Sequence, residues 1–131
     1  MPKKETVHYL VNKKLSYSPV IKIGNHYHFS GVIPKLVDVP PRLASPGSFE
    51  EQAIEVFEKI DDLLKECGLT RDDIFETTVM LVSKDDFQTM DILYRKFFAG
   101  IEILPERAAC GFAWLPFGSK IEIRFIAIKQ G

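Results

Sequence analysis

The sequence predicts one α+β domain over residues 1–131, a mostly antiparallel sheet with two helices on one face. Two segments repeat apolar residues at helical spacing behind a capping signal. Shorter segments rich in β-branched and aromatic residues lie between turn-forming residues and read as strands. In chain order the elements run β-β-β-α-β-α-β-β. A chain of 131 residues suits one domain with a core of its own.

Residues 7–10 are a short apolar stretch expected to form a first strand. Val20-Ile21-Lys22-Ile23, Gly24-Asn25 and His26-Tyr27-His28-Phe29-Ser30 read as a hairpin, because Gly and Asn accept the positive φ of a tight hairpin turn. Alternation puts Tyr27 and Phe29 on one face and His26, His28 and Ser30 on the other. Residues 34–47 hold Pro34, Pro40, Pro41 and Pro46, and so read as a loop, long enough to be functional or mobile. Ser48 with Glu51 forms a capping box, and Ala53, Val56, Phe57, Ile60, Leu63, Leu64 and Cys67 form an apolar helical stripe that Gly68 ends. Thr70 and Asp73 repeat the capping pattern over a single turn.

Residues 74–82 predict a central strand from their β-branched content. Ser83, with Asp86 at the third position, predicts the cap of a second helix that buries Phe87, Met90, Tyr94 and Phe97 and closes at Gly100. Two last strands, one carrying Arg107 and one carrying Glu122, flank Pro116-Phe117-Gly118-Ser119. Their closeness in sequence predicts a hairpin that brings the two charges toward one end. The face without helices offers small and apolar residues, and is predicted to pack against copies of itself in a closed homo-oligomer.

Lys and Arg number 17 against 18 Asp and Glu, with no basic block, which argues against nucleic acid as the main partner. No apolar run approaches the ~18–20 residues of a membrane span, and no apolar region follows Met1-Pro2-Lys3-Lys4-Glu5, so the cytoplasm is the expected compartment. Cys67 and Cys110 lack motif spacing and read as free thiols. His26 and His28 share a strand face, with His8 a candidate third ligand, but no acid completes a zinc motif and no metal is expected. Gly111 and Gly118 are isolated and make no nucleotide-binding loop. Trp114, beside Leu115-Pro116, reads as packing rather than as a stacking platform. On residue type alone, an Arg near a Glu is either the start of a site for a small carboxylate or a structural ion pair.

Tyr17, Gly24-Asn25 and Ser30-Gly31-Val32-Ile33-Pro34 resemble the N-terminal signature of the RidA (YjgF) family. Gly68-Leu69-Thr70-Arg71-Asp72-Asp73-Ile74 with Thr77-Thr78-Val79, then Asp86-Phe87, Tyr94 and Phe97-Phe98, continue the likeness. Pro105, Arg107, Leu115-Pro116 and Ile121-Glu122-Ile123 resemble the family's closing motif. The resemblance spans residues 17–128, and its specificity lies in the order of the pieces. It implies a chorismate-mutase-like fold assembled as a homotrimer, with the sheets forming a central barrel and the sites in clefts between subunits. It also implies cofactor-free hydrolysis of reactive imines and enamines, such as 2-iminopropanoate and 2-iminobutanoate, to 2-oxo acids and ammonia.

The resemblance makes Arg107 the anchor of the substrate carboxylate, a role its planar fork suits. It makes Glu122 the residue that handles the attacking water. Ser30 and Gly31 match the family's substrate-contacting pair, Tyr17 matches the aromatic that closes the pocket, and Ala109 contributes backbone groups. Four positions depart from the family pattern. Glu106 stands where a small residue is common, and alternation should turn it away from Arg107. Ala109 replaces a frequent cysteine, while Cys110 should face the other way. Asp91 replaces a frequent Asn, and a negative charge there is expected to point away from an anion site. Arg124 stands where a second acid is common, on the face of Glu122, and can fix that glutamate or tie it up. These departures motivate an alternative, a non-catalytic trimeric sensor of small carboxylates or a partner-binding module. RNA cleavage, attributed to some relatives, is disfavoured by the near-neutral charge.

Overall fold

The computed structural model describes residues 3–6 and 14–130. The strand expected at 7–10, and His8, lie outside the described residues. Among the described residues eight strands and two α-helices follow in order: β1 (Lys4–Thr6), β2 (Val20–Ile23), β3 (His26–Val32), β4 (Leu36–Val37), β5 (Arg42–Leu43), α1 (Phe49–Glu66), β6 (Ile74–Leu81), α2 (Phe87–Phe97), β7 (Glu106–Gly111) and β8 (Ile121–Ile128). The fold is α+β, with β1-β2-β3-β8-β6-β7 forming a six-stranded sheet and β4-β5 a separate ribbon. Every pairing is antiparallel except β6 with β7.

Ser48 caps the first helix and Thr70–Asp73 form a full capping box, whereas Ser83, expected to cap the second helix, does not cap it directly. Ser48 Oγ accepts the Glu51 N–H at 3.1 Å at the start of α1. Ser83 caps a single 3-10 turn, Lys84–Asp86, that runs into α2. Ala53, Val56, Phe57, Ile60 and Leu64 of α1 and Met90, Tyr94 and Phe97 of α2 are buried against one sheet face. Beneath them Phe29 stacks on Phe125, with ring centroids 4.1 Å apart. Gln52 is also fully buried. Its Nε2 donates to the Ser45 carbonyl at 2.9 Å, and its Oε1 accepts the Lys120 N–H at 2.8 Å. One side chain of α1 thereby ties the proline-rich segment to the start of β8. That segment is not loop throughout, since β4 and β5 pair within it, closed by an Arg42–Asp38 bond of 2.6 Å.

The predicted β7–β8 hairpin does not form. β7 follows α2 back to lie parallel to β6, and β8 inserts between β3 and β6. A helical crossover makes the parallel pairing possible. β8 alternates buried Ile121, Ile123, Phe125 and Ala127, so it gains most as an inner strand with a partner on each side. β7 is exposed along its whole length and takes the sheet edge. Trp114 is 74% exposed on the single chain, so the packing expected of it, at a subunit interface, would have to come from another copy.

Candidate functional site

The first cluster is built by a break in strand alternation. Phe29 pairs with Phe125 and Val32 with Ile123, so β3 spends one more residue than β8 between these pairs, a β-bulge. Phe29 and Val32 are both buried, and Ser30 and Gly31 between them turn outward. Ser30 N donates to the Pro19 carbonyl at 2.9 Å and Ser30 Oγ to the Ser18 carbonyl at 2.7 Å. The hydroxyl's one proton therefore fastens the segment that carries Tyr17. Toward a substrate this oxygen can only accept, which narrows the role expected of it.

Glu122 lies directly over Gly31: a Cβ on Gly31 would stand 1.8 Å from Glu122 Oε2. A side chain at position 31 would displace the Glu122 carboxylate from this place. Burial pushes the Glu122 carboxyl above its ordinary value of 4.5. Among the described residues Arg124 makes no ion pair with it; Arg124 stands exposed beside Glu76 and Thr78. Glu122, Ser30 and Gly31 share a cavity of about 270 Å³ with Tyr17, Ile33, Pro116 and Phe117.

The second cluster gathers on α2. Arg107 pairs in register with Thr77, whose buried hydroxyl lies 2.8 Å from Tyr94 Oη, so Arg107 shares the helix-covered face. Its guanidinium stands 4.8 Å from the Tyr94 ring and 5.6 Å from the Phe87 ring. Arg107 Nη1 donates to Asp91 Oδ1 at 2.8 Å, and Arg95 Nε donates to Asp91 Oδ2 at 3.1 Å. Asp91 therefore points inward, contrary to expectation. The Arg107 hydrogen bond, then that of Arg95, holds its carboxyl below the usual carboxylate range. With two guanidinium charges against one carboxylate, the cluster stays net positive.

Glu106 pairs with Glu76 on the opposite face from Arg107, as alternation requires. Ala109 falls on the Arg107 side, where it borders a cleft of about 560 Å³ with Val82, Lys84, Phe87 and Phe112. Cys110 is free and exposed, and the Cys67 thiol is pushed up to about 11 by burial and Glu66, so it stays protonated at neutral pH. His26 and His28 stack with centroids 6.3 Å apart, and no three His, Cys, Asp or Glu side chains among the described residues converge on a metal geometry. No helix among the described residues is long and apolar enough to cross a membrane.

One chain does not bring Arg107 and Glu122 together. Ile121 and Ile123 are buried beneath the helices, so Glu122 between them projects from the other face. Arg107 lies on the helix side, with β6 between the two strands. The cause is the missing hairpin. Sequence reasoning also missed Phe117 beside Glu122, and the role of Phe87 and Tyr94 in supporting Arg107. Their helical spacing marked only a buried stripe, which Phe87, 41% exposed, does not join.

The Endoribonuclease L-PSP family matches residues 11–129. A mouse protein named 2-iminobutanoate/2-iminopropanoate deaminase is 32% identical over 113 residues, spanning 86% of this chain and 81% of its own. The solved structure of YyfA from Yersinia pestis, described as a conserved Rid family protein of unknown function, superposes with a TM-score of 0.83 at 26% identity, covering 97% of this chain and 100% of its own. E. coli TdcF, solved with bound serine, superposes with a TM-score of 0.77 at 27% identity, covering 88% of this chain and 90% of its own. With the same fold, and a family match over nearly its whole length, this chain belongs to the Rid (YjgF, Endoribonuclease L-PSP) family.

Proposed function

We propose that the protein hydrolyses 2-imino and 2-enamino acids to 2-oxo acids and ammonia, at a site that two copies in a homotrimer complete. The observation that carries the reading is Glu122, a half-buried carboxylate lying over Gly31 in a small cavity. Arg107, fixed by Asp91 and stacked near Tyr94, supplies the cation that a carboxylate substrate requires. A relative named as a deaminase of 2-iminobutanoate and 2-iminopropanoate supports the substrate class, and serine in TdcF shows a relative that holds a small amino acid.

In this reading the substrate carboxylate docks on Arg107 and presents its C=N carbon to a water held by Glu122. Glu122 accepts a proton as the water oxygen bonds to carbon, giving a tetrahedral carbinolamine. That proton passes to the imine nitrogen. The carbinolamine hydroxyl then gives its own proton by way of Glu122 to the same nitrogen, and the C–N bond breaks as C=O forms, leaving ammonia and a 2-oxo acid. Water supplies the oxygen and the protons, so the step balances without a cofactor. A carboxyl raised above its ordinary value is better matched to both taking and returning a proton.

The test is a coupled assay in which a serine or threonine dehydratase generates the imine and its decay is followed. Acceleration is expected, absent in Arg107→Ala and mostly lost in Arg107→Lys, which lacks the fork. Wild-type turnover by Arg107→Ala would overturn the mechanism. A second reading, a carboxylate sensor, is favoured by Asp91 occupying part of Arg107. Binding of 2-oxobutanoate without hydrolysis of any imine would select it.

A further inference from the structure

The group borne by the imine carbon has no assigned place in this mechanism, and the cavity beside Glu122 offers one. Apart from Glu122, Ser30 and Gly31, its walls are Tyr17, Ile33, Pro116 and Phe117, none of them charged. Phe117 holds an unusual backbone, with φ 61° and ψ 15°, in the left-handed region that disfavours bulky side chains. The turn imposes that conformation. Gly118 N donates to the Leu115 carbonyl at 3.1 Å, Ser119 N donates to the Pro116 carbonyl at 3.1 Å, and Ser119 Oγ donates to the same carbonyl at 2.8 Å. Glycine would satisfy this geometry without strain. Nor does the phenyl ring serve the core, since Phe117 is 51% exposed and Tyr17 across the cavity is 55% exposed. Two aromatic side chains thus stand largely unburied beside the candidate base, one of them on a disfavoured backbone. Strain of this kind persists where a site uses it.

We propose that Phe117, with Tyr17 and Ile33, forms an apolar subsite for the substrate side chain, selecting 2-imino acids with large apolar or aromatic groups over the alanine-derived imine. This rests on the deaminase reading above. Burial of such a group against the rings would stabilise the bound substrate through its apolar surface. A small methyl group would leave the cavity partly filled. The Ile33 wall is fixed from behind, since Lys59 Nζ donates to the Ile33 carbonyl at 2.9 Å.

The experiment compares imines generated by an L-amino-acid oxidase with catalase from phenylalanine, leucine and alanine. Wild type is expected to show a kcat/KM for the phenylalanine or leucine imine at least about tenfold above that for the alanine imine. In Phe117→Gly and Phe117→Asn, both compatible with a left-handed backbone, that ratio is expected to fall toward unity. Thermal melting and sedimentation are to show an unchanged fold and mass. Wild-type preference for the alanine imine, or a ratio that survives both substitutions, would overturn the subsite. So would a change of assembly mass in both variants, which would make Phe117 an interface residue. Calorimetry with 3-phenyl-2-oxopropanoate and 2-oxopropanoate separates the two proposals. Tighter, Phe117-dependent binding of the phenyl compound without hydrolysis would leave the subsite standing and remove the enzyme. Absence of both binding and hydrolysis would remove both.

Discussion

Glu122 and Asp91 are carboxylates pushed in opposite directions by their surroundings. Burial raises the Glu122 carboxyl above 4.5, so its charged form is the disfavoured one. As pH falls through that raised value the group takes a proton and can no longer accept one from water. The acid limb of kcat/KM is therefore expected above the ordinary glutamate range, and a pH–rate profile of wild type against Glu122→Gln checks it. Stability has the matching sign: a folded value above the unfolded one means stability is lost as pH rises through the window between them, so Glu122→Gln should melt higher than wild type at neutral pH. Asp91 is depressed by Arg107 first and Arg95 second, and so stays ionised below the usual carboxylate range. Asp91→Asn keeps an acceptor for Arg107 while removing one negative charge. It should lower KM for an anionic imine about twofold to fivefold, whereas Asp91→Ala, which frees the guanidinium, should raise KM. Steady-state kinetics on the two variants read these opposite signs. Neither environment was legible in the sequence, because a residue type does not state which neighbour a helix or a bulge will set against it.

The helices were readable because their evidence is local: a cap, a 3.6-residue stripe, a glycine stop. Strand partners are not local, and there the reading failed. Two strands close in sequence invited a hairpin, but β8 has a buried face along its whole length and takes two partners, leaving β7 at the edge. The bulge at Ser30-Gly31 was hidden for a related reason, since an alternating pattern carries no mark where one extra residue enters. The likeness to a family named Ser30, Gly31, Tyr17 and Glu122 together; the fold gathers these four around one cavity, with Arg107 on the far face. Gln52 is the element-scale surprise, a polar residue at 0% exposure. Its four-residue spacing before Val56 and Ile60 was the available sign. Gln52→Leu would leave the Lys120 N–H and the Ser45 carbonyl without their partner, and should cost about 2–3 kcal/mol in urea unfolding.

At the scale of the molecule, helices cover one side of the sheet, and the other presents half-buried Ile126, Ile128, Thr78 and Met80 around Glu122 and Arg124. With Trp114, Ile103 and Leu104 exposed as well, this surface suits burial against other copies. Sedimentation is expected to give three times the 14.9 kDa of one chain. Mixed assemblies test where the site lies. Arg107→Ala and Glu122→Gln are each expected to be inactive, but every mixed ring of three keeps one junction with both native residues. Co-expression in equal amounts should thus recover about a quarter of the sites. A site confined to one chain would recover none. The sheet that stands between Arg107 and Glu122 in each copy also has a kinetic consequence. With sites between copies, total activity is expected to rise with more than the first power of protein where assembly is incomplete. Dilution is then expected to lower turnover per chain.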